Sequence, residues 1–382
     1  TKNQLFARAT RNRFSALNSE LTGTYTRTFA QARREWSVLG QYATNSGTSG
    51  YDFDQYKGSP VPLASGQATY RERSRNTAPS HEITAQTDFV QPFGEKQTLE
   101  IGLKSIWRRN SSVADIDTLF TAQAGEYARS ARRATNFSYD QNVQATYATY
   151  SFGLGKKVRA SLGGRVERTM LTAAFRTTDT GFSRSYLTPL PNGSAQYAFS
   201  EATSLRLAYS RRITRPNIYY LNPYVDPELT DSYELSYNTV IKTATLNAAL
   251  SVRHTGNAIE QVRLPTDSLN VTAQTFANVA ANTFYQFNIY ASLKPSPKWD
   301  LSVGPDVQYL IRRSPALGAN RRGFMAGLNL NTSYKLTKTF TLQGFLYGSL
   351  PEPTIQGTGA ANLYYQFGAK KSFLKEKLDL TV

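Results

Sequence analysis

The sequence contains no cysteine, which excludes a disulfide framework, a thiol nucleophile and a thiolate metal site. It also lacks any run of about 18 consecutive apolar residues, so no transmembrane helix is predicted. No segment shows the 3.6-residue apolar period of an amphipathic helix, which disfavours the α-helical and α/β classes. An all-β fold is the class that remains.

What the sequence does have is apolar residues at every second position. Leu205, Leu207 and Tyr209 alternate with polar residues that include Arg206 and Arg212. A period of two residues predicts a β-strand with one apolar and one polar face. A soluble sandwich would place these guanidinium groups in bulk water. A transmembrane barrel would place them in a wet lumen and turn the leucine and tyrosine side chains to lipid.

Strands of this kind recur along the chain and are joined alternately by short turns and by longer polar segments. This asymmetry is typical of outer-membrane barrels, whose periplasmic turns are short and whose extracellular loops are long. The pattern predicts an antiparallel transmembrane β-barrel with about 16 strands in these residues. The short turns are predicted near residues 30, 95, 156, 201, 242, 297, 338 and 375. The long loops are predicted at 45–79, 110–133, 172–185, 256–276, 312–322 and 351–359.

Soluble β folds and nucleic-acid binding are the alternatives to a membrane barrel. A β-propeller would repeat every 40 residues or more with internal similarity, and the chain shows no such repeat. The net charge of +17 suits a nucleic-acid-binding protein, but the basic residues are scattered over strands instead of being gathered in one arm or helix. We therefore expect no nucleic-acid partner. A basic barrel would instead attract anionic ligands or lipopolysaccharide.

A series of short motifs spans most of the chain, with an Arg-Pro pair and a Leu-Asn-Pro segment at its centre. The motifs are Glu82–Pro92, Leu99–Lys104, Leu162–Thr169, Tyr209–Pro216, Leu221–Tyr224, Ser232–Tyr237, Gln356–Gly359 and Phe367–Phe373. In this order and combination they resemble the barrel region of TonB-dependent receptors of Bacteroidetes, of the outer membrane protein beta-barrel subfamily.

The resemblance carries expectations about the whole protein. Receptors of this family have a barrel of about 22 strands and an N-terminal plug domain. Residues 1–382 are therefore expected to form a barrel region, with the plug and some strands outside them. One departure is the direct link Asp226–Leu229 between the Leu-Asn-Pro loop and the next strand, where the family has a longer segment.

The resemblance also implies a location and partners. The location is the outer membrane of a Gram-negative bacterium, in contact with membrane lipid and lipopolysaccharide. The implied protein partners are an inner-membrane TonB-type energy coupler and a surface lipoprotein.

Charged residues at the polar positions of the strands are candidates for a lumen lining. They would form cross-strand ion pairs, contacts to a plug or the wall of a ligand path. These candidates are Glu100, Lys104, Arg159, Arg165, Glu167, Arg206, Arg212 and Glu234. A second group carries the family signature and would shape a strand-to-loop transition. Its members are Arg215, Pro216, Asn222, Pro223 and Tyr224.

The sequence shows no catalytic or metal-binding constellation. His81 and His254 lack carboxylate or cysteine partners at metal-ligand spacing, and no Ser-His-Asp arrangement or phosphate-binding loop is recognisable. We expect neither an enzyme nor a cofactor. Aromatic pairs are expected in girdles at the membrane surfaces. These pairs are Tyr147 and Tyr150, Tyr219 and Tyr220, Phe287 and Tyr290, and Tyr364 and Tyr365.

Three functions are compatible with these expectations. The resemblance implies energised import of a large, scarce nutrient such as a siderophore, cobalamin, a glycan or a peptide. A plugless structural or accessory barrel of a surface or secretion assembly is one alternative, and a passive porin is the other. The presence of a plug separates the first function from the others, and substrate selectivity would lie in the loops and the plug.

Overall fold

The computed structural model describes residues 6–57, 68–120, 126–131, 133–216, 225–265, 272–374 and 377–382. Within these residues lie nineteen strands and one turn of 3-10 helix at Pro315–Leu317. None of the helical structure in the described ranges is long and apolar enough to span a bilayer. Three strands have only two residues each, namely β5 (Ala128–Arg129), β16 (Pro353–Thr354) and β17 (Gly357–Thr358).

The remaining strands number sixteen, as the sequence predicts. They are β1 (Phe6–Thr28), β2 (Glu35–Lys57), β3 (Tyr70–Phe93), β4 (Gln97–Phe120), β6 (Thr135–Leu154), β7 (Val158–Phe175), β8 (Thr180–Ala198), β9 (Thr203–Thr214), β10 (Glu228–Ile241), β11 (Ala244–Pro265), β12 (Thr272–Ser296), β13 (Trp299–Ser314), β14 (Ala319–Thr337), β15 (Phe340–Ser349), β18 (Asn362–Phe373) and β19 (Leu378–Thr381).

Strands that follow one another along the chain pair antiparallel. β1 and β2 pair over their whole length, from Phe6 opposite Lys57 to Thr28 opposite Glu35. The same arrangement joins β9 to β10 and β10 to β11, and it continues from β12 through β15 to β18 and β19. Such ladders satisfy the backbone N–H and C=O groups inside the sheet, which is the condition for any β structure that crosses lipid.

All eight predicted short turns are confirmed by the paired strands that flank them, and residues 375 and 376 of the last turn lie outside the described ranges. Gly94 and Gly155 occupy two of them with φ of 66°, a left-handed conformation that favours glycine. The turns lie between the strand ends Thr28 and Glu35, Phe93 and Gln97, Leu154 and Val158, Ala198 and Thr203, Ile241 and Ala244, Ser296 and Trp299, Thr337 and Phe340, and Phe373 and Leu378. We call the ends of the strands at these turns the short-turn edge, and the opposite ends the long-loop edge.

Several predicted loops are wrong, because the structure has paired strands there. β2 continues to Lys57 and β3 starts at Tyr70, so much of the predicted loop at 45–79 belongs to a ladder. β4 likewise extends to Phe120. β7 ends at Phe175 and β8 starts at Thr180, so most of the predicted loop at 172–185 is also strand. In these segments polar residues such as Asp52, Asp54 and Asp115 stand at positions that apolar residues occupy nearer the short turns, so the two-residue apolar period is interrupted in the sequence. The ladder itself continues because its hydrogen bonds join backbone groups.

The chain divides into two compact units. The first contains residues 1–92, 100–148 and 165–189 and includes the short turn between β1 and β2. The second contains residues 93–99, 149–164 and 190–382 and includes the other seven short turns.

The large apolar side chains of the strands are exposed. Leu103, Leu162 and Leu207 have 55, 64 and 58% of their surface accessible, whereas small or polar residues such as Thr169 and Ser314 are buried. A soluble protein would bury its leucines, so a surface of this kind requires an apolar surrounding. In each unit, we call the face that carries these leucines the apolar face, and the opposite face the polar face.

Candidate functional site

The second unit has a polar recess on its polar face. β9 contributes Arg206 and Arg212, β10 contributes Glu234, and β11 contributes Arg253. The strand register places Glu234 directly opposite Ala208, between the two β9 arginines. The recess has a volume of about 430 Å³. Three guanidinium groups and one carboxylate thus line a single concave surface.

The charges of this recess are not balanced within the described part of the chain. Arg253 donates from Nη2 to Gln308 Oε1 at 3.5 Å and lies 5.1 Å from the ring centroid of Phe284. Its Nε atom is buried and has no hydrogen-bond partner among the described residues. No ion pair of the described residues involves Arg206 or Arg212. The recess therefore carries excess positive charge and unused donors, which favour an anionic ligand.

Arg159 is the remaining lumen-lining candidate of this unit. It lies on β7 close to the Leu154–Val158 turn and is exposed. It occupies the same face as Ser161, whose hydroxyl hydrogen-bonds to the Ser194 hydroxyl at 2.9 Å. Both serines border the recess. Arg159 therefore extends the polar face toward the short-turn edge.

In the first unit, Arg165 and Glu167 belong to a hydrogen-bonded group. Arg165 Nε donates to Glu167 Oε1 at 2.5 Å, and its guanidinium lies 5.2 Å from the centroid of the Tyr147 ring. The Tyr147 hydroxyl donates to Asp88 on β3. Residue 102 is glycine where the ring passes, and a Cβ atom at that position would overlap it. The group is consistent with the ion-pair interpretation of these two candidates.

The position of Tyr147 contradicts one prediction about the aromatic girdles. The sequence predicts that Tyr147 and Tyr150 both lie in a girdle, but three positions separate them, and strand alternation turns their side chains to opposite faces. Tyr150 is exposed and stacks on Phe152 with ring centroids 5.7 Å apart. Tyr150 fits a girdle, and Tyr147 belongs to the polar face.

Glu100 and Lys104 flank Gly102 on β4 and so share its face. No ion pair of the described residues involves either side chain. Arg108 is four residues from Lys104 on β4 and therefore lies on the same face. It forms an ion pair with Glu82 and also donates a hydrogen bond to Gln141 at 3.1 Å. Sequence reasoning missed this pair, although both residues stand at alternating polar positions that would have revealed them.

A buried carboxylate near the long-loop edge of the first unit was also missed. Glu72 is only 5% exposed and accepts hydrogen bonds from the Tyr51 and Tyr70 hydroxyls and from Arg133. Arg133 Nη2 donates to Glu72 Oε1 at 2.8 Å, and these hydrogen bonds raise the pKa of Arg133. The cluster fixes the segment before β6 against β2 and β3. Its members lie in predicted loops, so only the strand register brings them together.

The hairpin of β16 and β17 folds over the polar face of the second unit. Ile355, at its tip, is 3% exposed and packs on a small apolar cluster of β11 and β12. Arg321 Nε donates to the Ile355 carbonyl at 3.3 Å. Gln356 exchanges two hydrogen bonds with the backbone of Arg263, at 2.9 and 3.3 Å. The hairpin is thus held on the inner side of the strands it covers.

Arg312 is the centre of this attachment. Its side chain is 8% exposed and forms ion pairs with Glu260 at 3.3 Å and Glu352 at 3.2 Å. It also donates to the Pro353 carbonyl at 3.2 Å. Arg312 is four residues from Gln308 on β13, so alternation places both side chains on the polar face.

The predicted signature loop is described only in part. β9 ends at Thr214, and Arg215 and Pro216 follow it. This end is expected because Pro216 has no backbone N–H to donate to a ladder. The remaining predicted residues lie outside the described ranges. They are Asn222, Pro223 and Tyr224, together with the expected girdle residues Tyr219 and Tyr220.

No group of three or more histidine, aspartate or glutamate side chains in the described ranges is arranged to hold a metal ion. His81 stacks on Tyr42, with ring centroids 6.3 Å apart, and is hydrogen-bonded to its hydroxyl at 2.9 Å. His254 Nδ1 is 2.9 Å from the Thr283 hydroxyl. Both histidines have local hydrogen-bonding roles.

Residues 27–382 match the family described as the Outer membrane protein beta-barrel family. The chain belongs to this family. A search of curated proteins finds no match to the sequence. The fold is therefore an all-β antiparallel barrel of the outer-membrane class, and the location is the outer membrane of a Gram-negative bacterium. In a barrel of this class the apolar face meets lipid and the polar face lines the lumen.

Solved receptors and transporters share this fold. The ferric yersiniabactin uptake receptor from Yersinia pestis matches with a TM-score of 0.58 and 12% identity, over 88% of this chain and 53% of the receptor. A copper transporter matches with a TM-score of 0.69 and 12% identity, over 95% of this chain and 58% of the transporter. The ferric preacinetobactin receptor from Acinetobacter baumannii matches with a TM-score of 0.59 and 11% identity, over 97% and 57%. The chain thus spans little more than half the length of these proteins.

Proposed function

We propose that this chain is the barrel region of a TonB-dependent receptor of the Bacteroidetes type, which imports a large nutrient. The observation that carries the proposal is the basic recess of the second unit, on a sheet whose other face is apolar. Arg206, Arg212 and Arg253 offer charge and donors on the side that lines the lumen. The solved proteins of similar fold, described as uptake receptors and transporters, support transport rather than catalysis.

Two features assign roles to the parts of the barrel. The hairpin held by Arg312 covers part of the polar face at the long-loop edge, where a nutrient would enter. The charged residues Glu100, Lys104, Arg159, Arg165, Glu167 and Glu234 would line the passage or contact a plug that lies outside residues 1–382. An inner-membrane coupler would supply the energy that displaces the plug. Lipopolysaccharide and a surface lipoprotein are the partners proposed at the outer surface.

The test measures uptake by cells that make the complete natural protein or lack it. Labelled ferric siderophores, cobalamin, a glycan and a peptide are the probes, each assayed with and without a protonophore. Saturable uptake that the protonophore abolishes supports the proposal. Uptake that is neither saturable nor energy-dependent would identify a porin, and unchanged uptake of all four probes would favour a structural or accessory barrel.

A matched pair of variants connects the assay to the recess. Arg206→Gln combined with Arg212→Gln removes two charges of the recess, and we expect the KM for an anionic nutrient to rise about tenfold or more. Arg313→Gln removes an exposed charge outside the recess and should leave the KM unchanged. Equal effects of the two variants would refute the role given to the recess.

A further inference from the structure

Two lysines at the short-turn edge of the second unit lie over aromatic rings. Lys157 Nζ is 6.0 Å from the centroid of the Tyr197 ring, and Lys371 Nζ is 6.0 Å from that of Phe340. Distances of this size are typical of cation–π contacts. Each lysine thus has its ammonium group positioned beside a specific aromatic ring.

These rings belong to the apolar face. Tyr197 is 41% exposed and lies opposite Leu205 across β8 and β9. Phe340 lies opposite Lys371 across β15 and β18, two positions from the exposed Leu342. Aromatic rings on the lipid-facing side at the ends of strands occupy the level of the lipid headgroups. The ammonium groups that lie over them are therefore at the level of the lipid phosphates.

The chain does not neutralise these lysines within its described part. No ion pair of the described residues involves Lys157 or Lys371. Other lysines of the same edge do have carboxylate partners, since Lys294 pairs with Asp300 at 3.3 Å and Lys370 with Asp379 at 2.7 Å. The chain thus pairs some lysines of this edge internally and leaves those over the rings available to another anion.

Further lysines lie at the turns that carry Lys157 and Phe340. Lys96 Nζ donates to the Gly155 carbonyl at 3.1 Å, which brings it to the turn that carries Lys156 and Lys157. We define the first seat as Lys96, Lys156, Lys157 and Tyr197. Like charges at one turn repel each other, and an anion bound there would reduce that repulsion.

The second seat consists of Lys338, Lys371 and Phe340. Lys371 Nζ donates to Thr339 Oγ1 at 2.9 Å, so its side chain bends toward the turn that carries Lys338. Lys338 is exposed, and no ion pair of the described residues involves it. Both seats therefore combine two or three lysines, none of which forms an ion pair with the described residues, with a ring on the lipid-facing side.

We propose that the two seats bind anionic phospholipids of the membrane leaflet at the short-turn edge. The lysine ammonium groups would hold the headgroup phosphate through charge-assisted hydrogen bonds, and the ring would contact the glycerol and the upper acyl chain. The position of the rings on the apolar face favours a lipid over a soluble anion. The inference depends on the membrane-barrel fold and not on the proposed transport.

The first unit shows a similar arrangement with arginine. Arg27 and Arg34 lie 5.2 and 4.7 Å from the centroid of the Phe29 ring, at the turn between β1 and β2. Arg34 also lies 5.5 Å from the Phe89 ring. A cation over an aromatic ring thus also occurs at the short turn of the first unit.

The test is native mass spectrometry of the complete natural protein, equilibrated with equal amounts of phosphatidylglycerol and phosphatidylcholine of the same acyl chains. The wild type should retain phosphatidylglycerol in preference. Lys156→Gln combined with Lys157→Gln, and separately Lys338→Gln combined with Lys371→Gln, should each weaken this preference, by about fivefold per lysine. Lys156→Arg with Lys157→Arg keeps the charge and should retain the lipid.

Control experiments test whether the bound molecule is a lipid and whether the lysines of the seats are what binds it. Arg313→Gln combined with Arg322→Gln removes two exposed charges at the long-loop edge of the same unit and should not change the preference. Equal retention of the two lipids by the wild type would overturn the proposal, as would full retention by both glutamine variants. Displacement of the lipid by an equal concentration of glycerophosphoglycerol, which has no acyl chains, would also overturn it in favour of a soluble phosphodiester. Heat-modifiable gel mobility checks folding, and the two seats provide independent variants.

Discussion

The two edges of the second unit use different cations in different ways. At the long-loop edge two arginines, Arg211 and Arg312, are held by carboxylates. Arg211 donates to both oxygens of Asp231 at 2.8 and 2.9 Å, and Arg312 is buried between two glutamates. At the short-turn edge the cations are mostly lysines, and Lys157 and Lys371 lie over rings with no carboxylate partner in the described chain.

The difference follows from what each edge must do. Long strands that extend beyond the apolar band have no lipid to organise them, and arginine fixes their neighbours through a planar, two-pronged guanidinium. Lysine carries a compact charge on a flexible stem, which suits a partner that exchanges. Arginines held in ion pairs are therefore part of the fold, whereas the lysines over the rings, which have no carboxylate partner in the described chain, form a contact surface.

The largest effect is expected from Arg312→Ala at the long-loop edge. The substitution leaves Glu260 with 13% of its side chain exposed and without its cation, and it releases the hairpin. Loss of one partner of a buried pair typically costs about 3 to 5 kcal/mol. Denaturant unfolding in lipid vesicles would measure the loss. Arg313→Ala is the exposed control, expected within about 0.5 kcal/mol of the wild type. Equal losses would mean that this edge is not held by its ion pairs.

The second-largest effect is expected from a charge placed on the apolar face between the two edges. Leu207→Arg puts a guanidinium on the apolar face of β9, and we expect a loss of about 2 to 4 kcal/mol if the position is near the bilayer midplane. Arg206→Leu changes the neighbouring residue on the polar face and should be much milder. Folded yield in vesicles, read as heat-modifiable gel mobility, compares the pair. Similar losses for both variants would contradict the assignment of the two faces.

The smallest effect is expected at the short-turn edge. The Lys335 backbone N–H donates to the Lys298 carbonyl at 2.8 Å, so these two lysines are close neighbours. Lys335→Gln should change the unfolding free energy in zwitterionic detergent by less than about 0.5 kcal/mol, because it removes only one of two like charges. A loss as large as that of Arg312→Ala would erase the contrast between the edges.

Much of the fold could be predicted from the sequence because lipid imposes a simple rule. Where one face meets lipid, apolar residues must occupy every second position, and Leu103, Leu162 and Leu207 all follow that rule. The short turns were predictable from their glycine and lysine residues and from the ends of the alternating runs. The polar-face positions of Arg165, Glu167 and Arg206 follow from the same parity.

The sites near the long-loop edge could not be predicted in this way. Tyr51 and Glu72 are 21 residues apart in the sequence, and they meet only because β2 and β3 continue in register past the apolar band. Arg312 and Glu352 are 40 residues apart and meet only because the hairpin folds inward. No local pattern encodes such contacts.

The sequence by itself determined the strand class, the two faces of each strand and the positions of the short turns, since these depend on local periodicity. The tertiary structure decided how far the strands extend, which arginines have carboxylate partners and which lysines lie over aromatic rings. Backbone ladders continue whatever side chains they carry, so strand length cannot be read from a sequence once polar residues interrupt the apolar alternation. Ion pairs and cation–π contacts depend on register and on side-chain reach, and only the paired strands fix both.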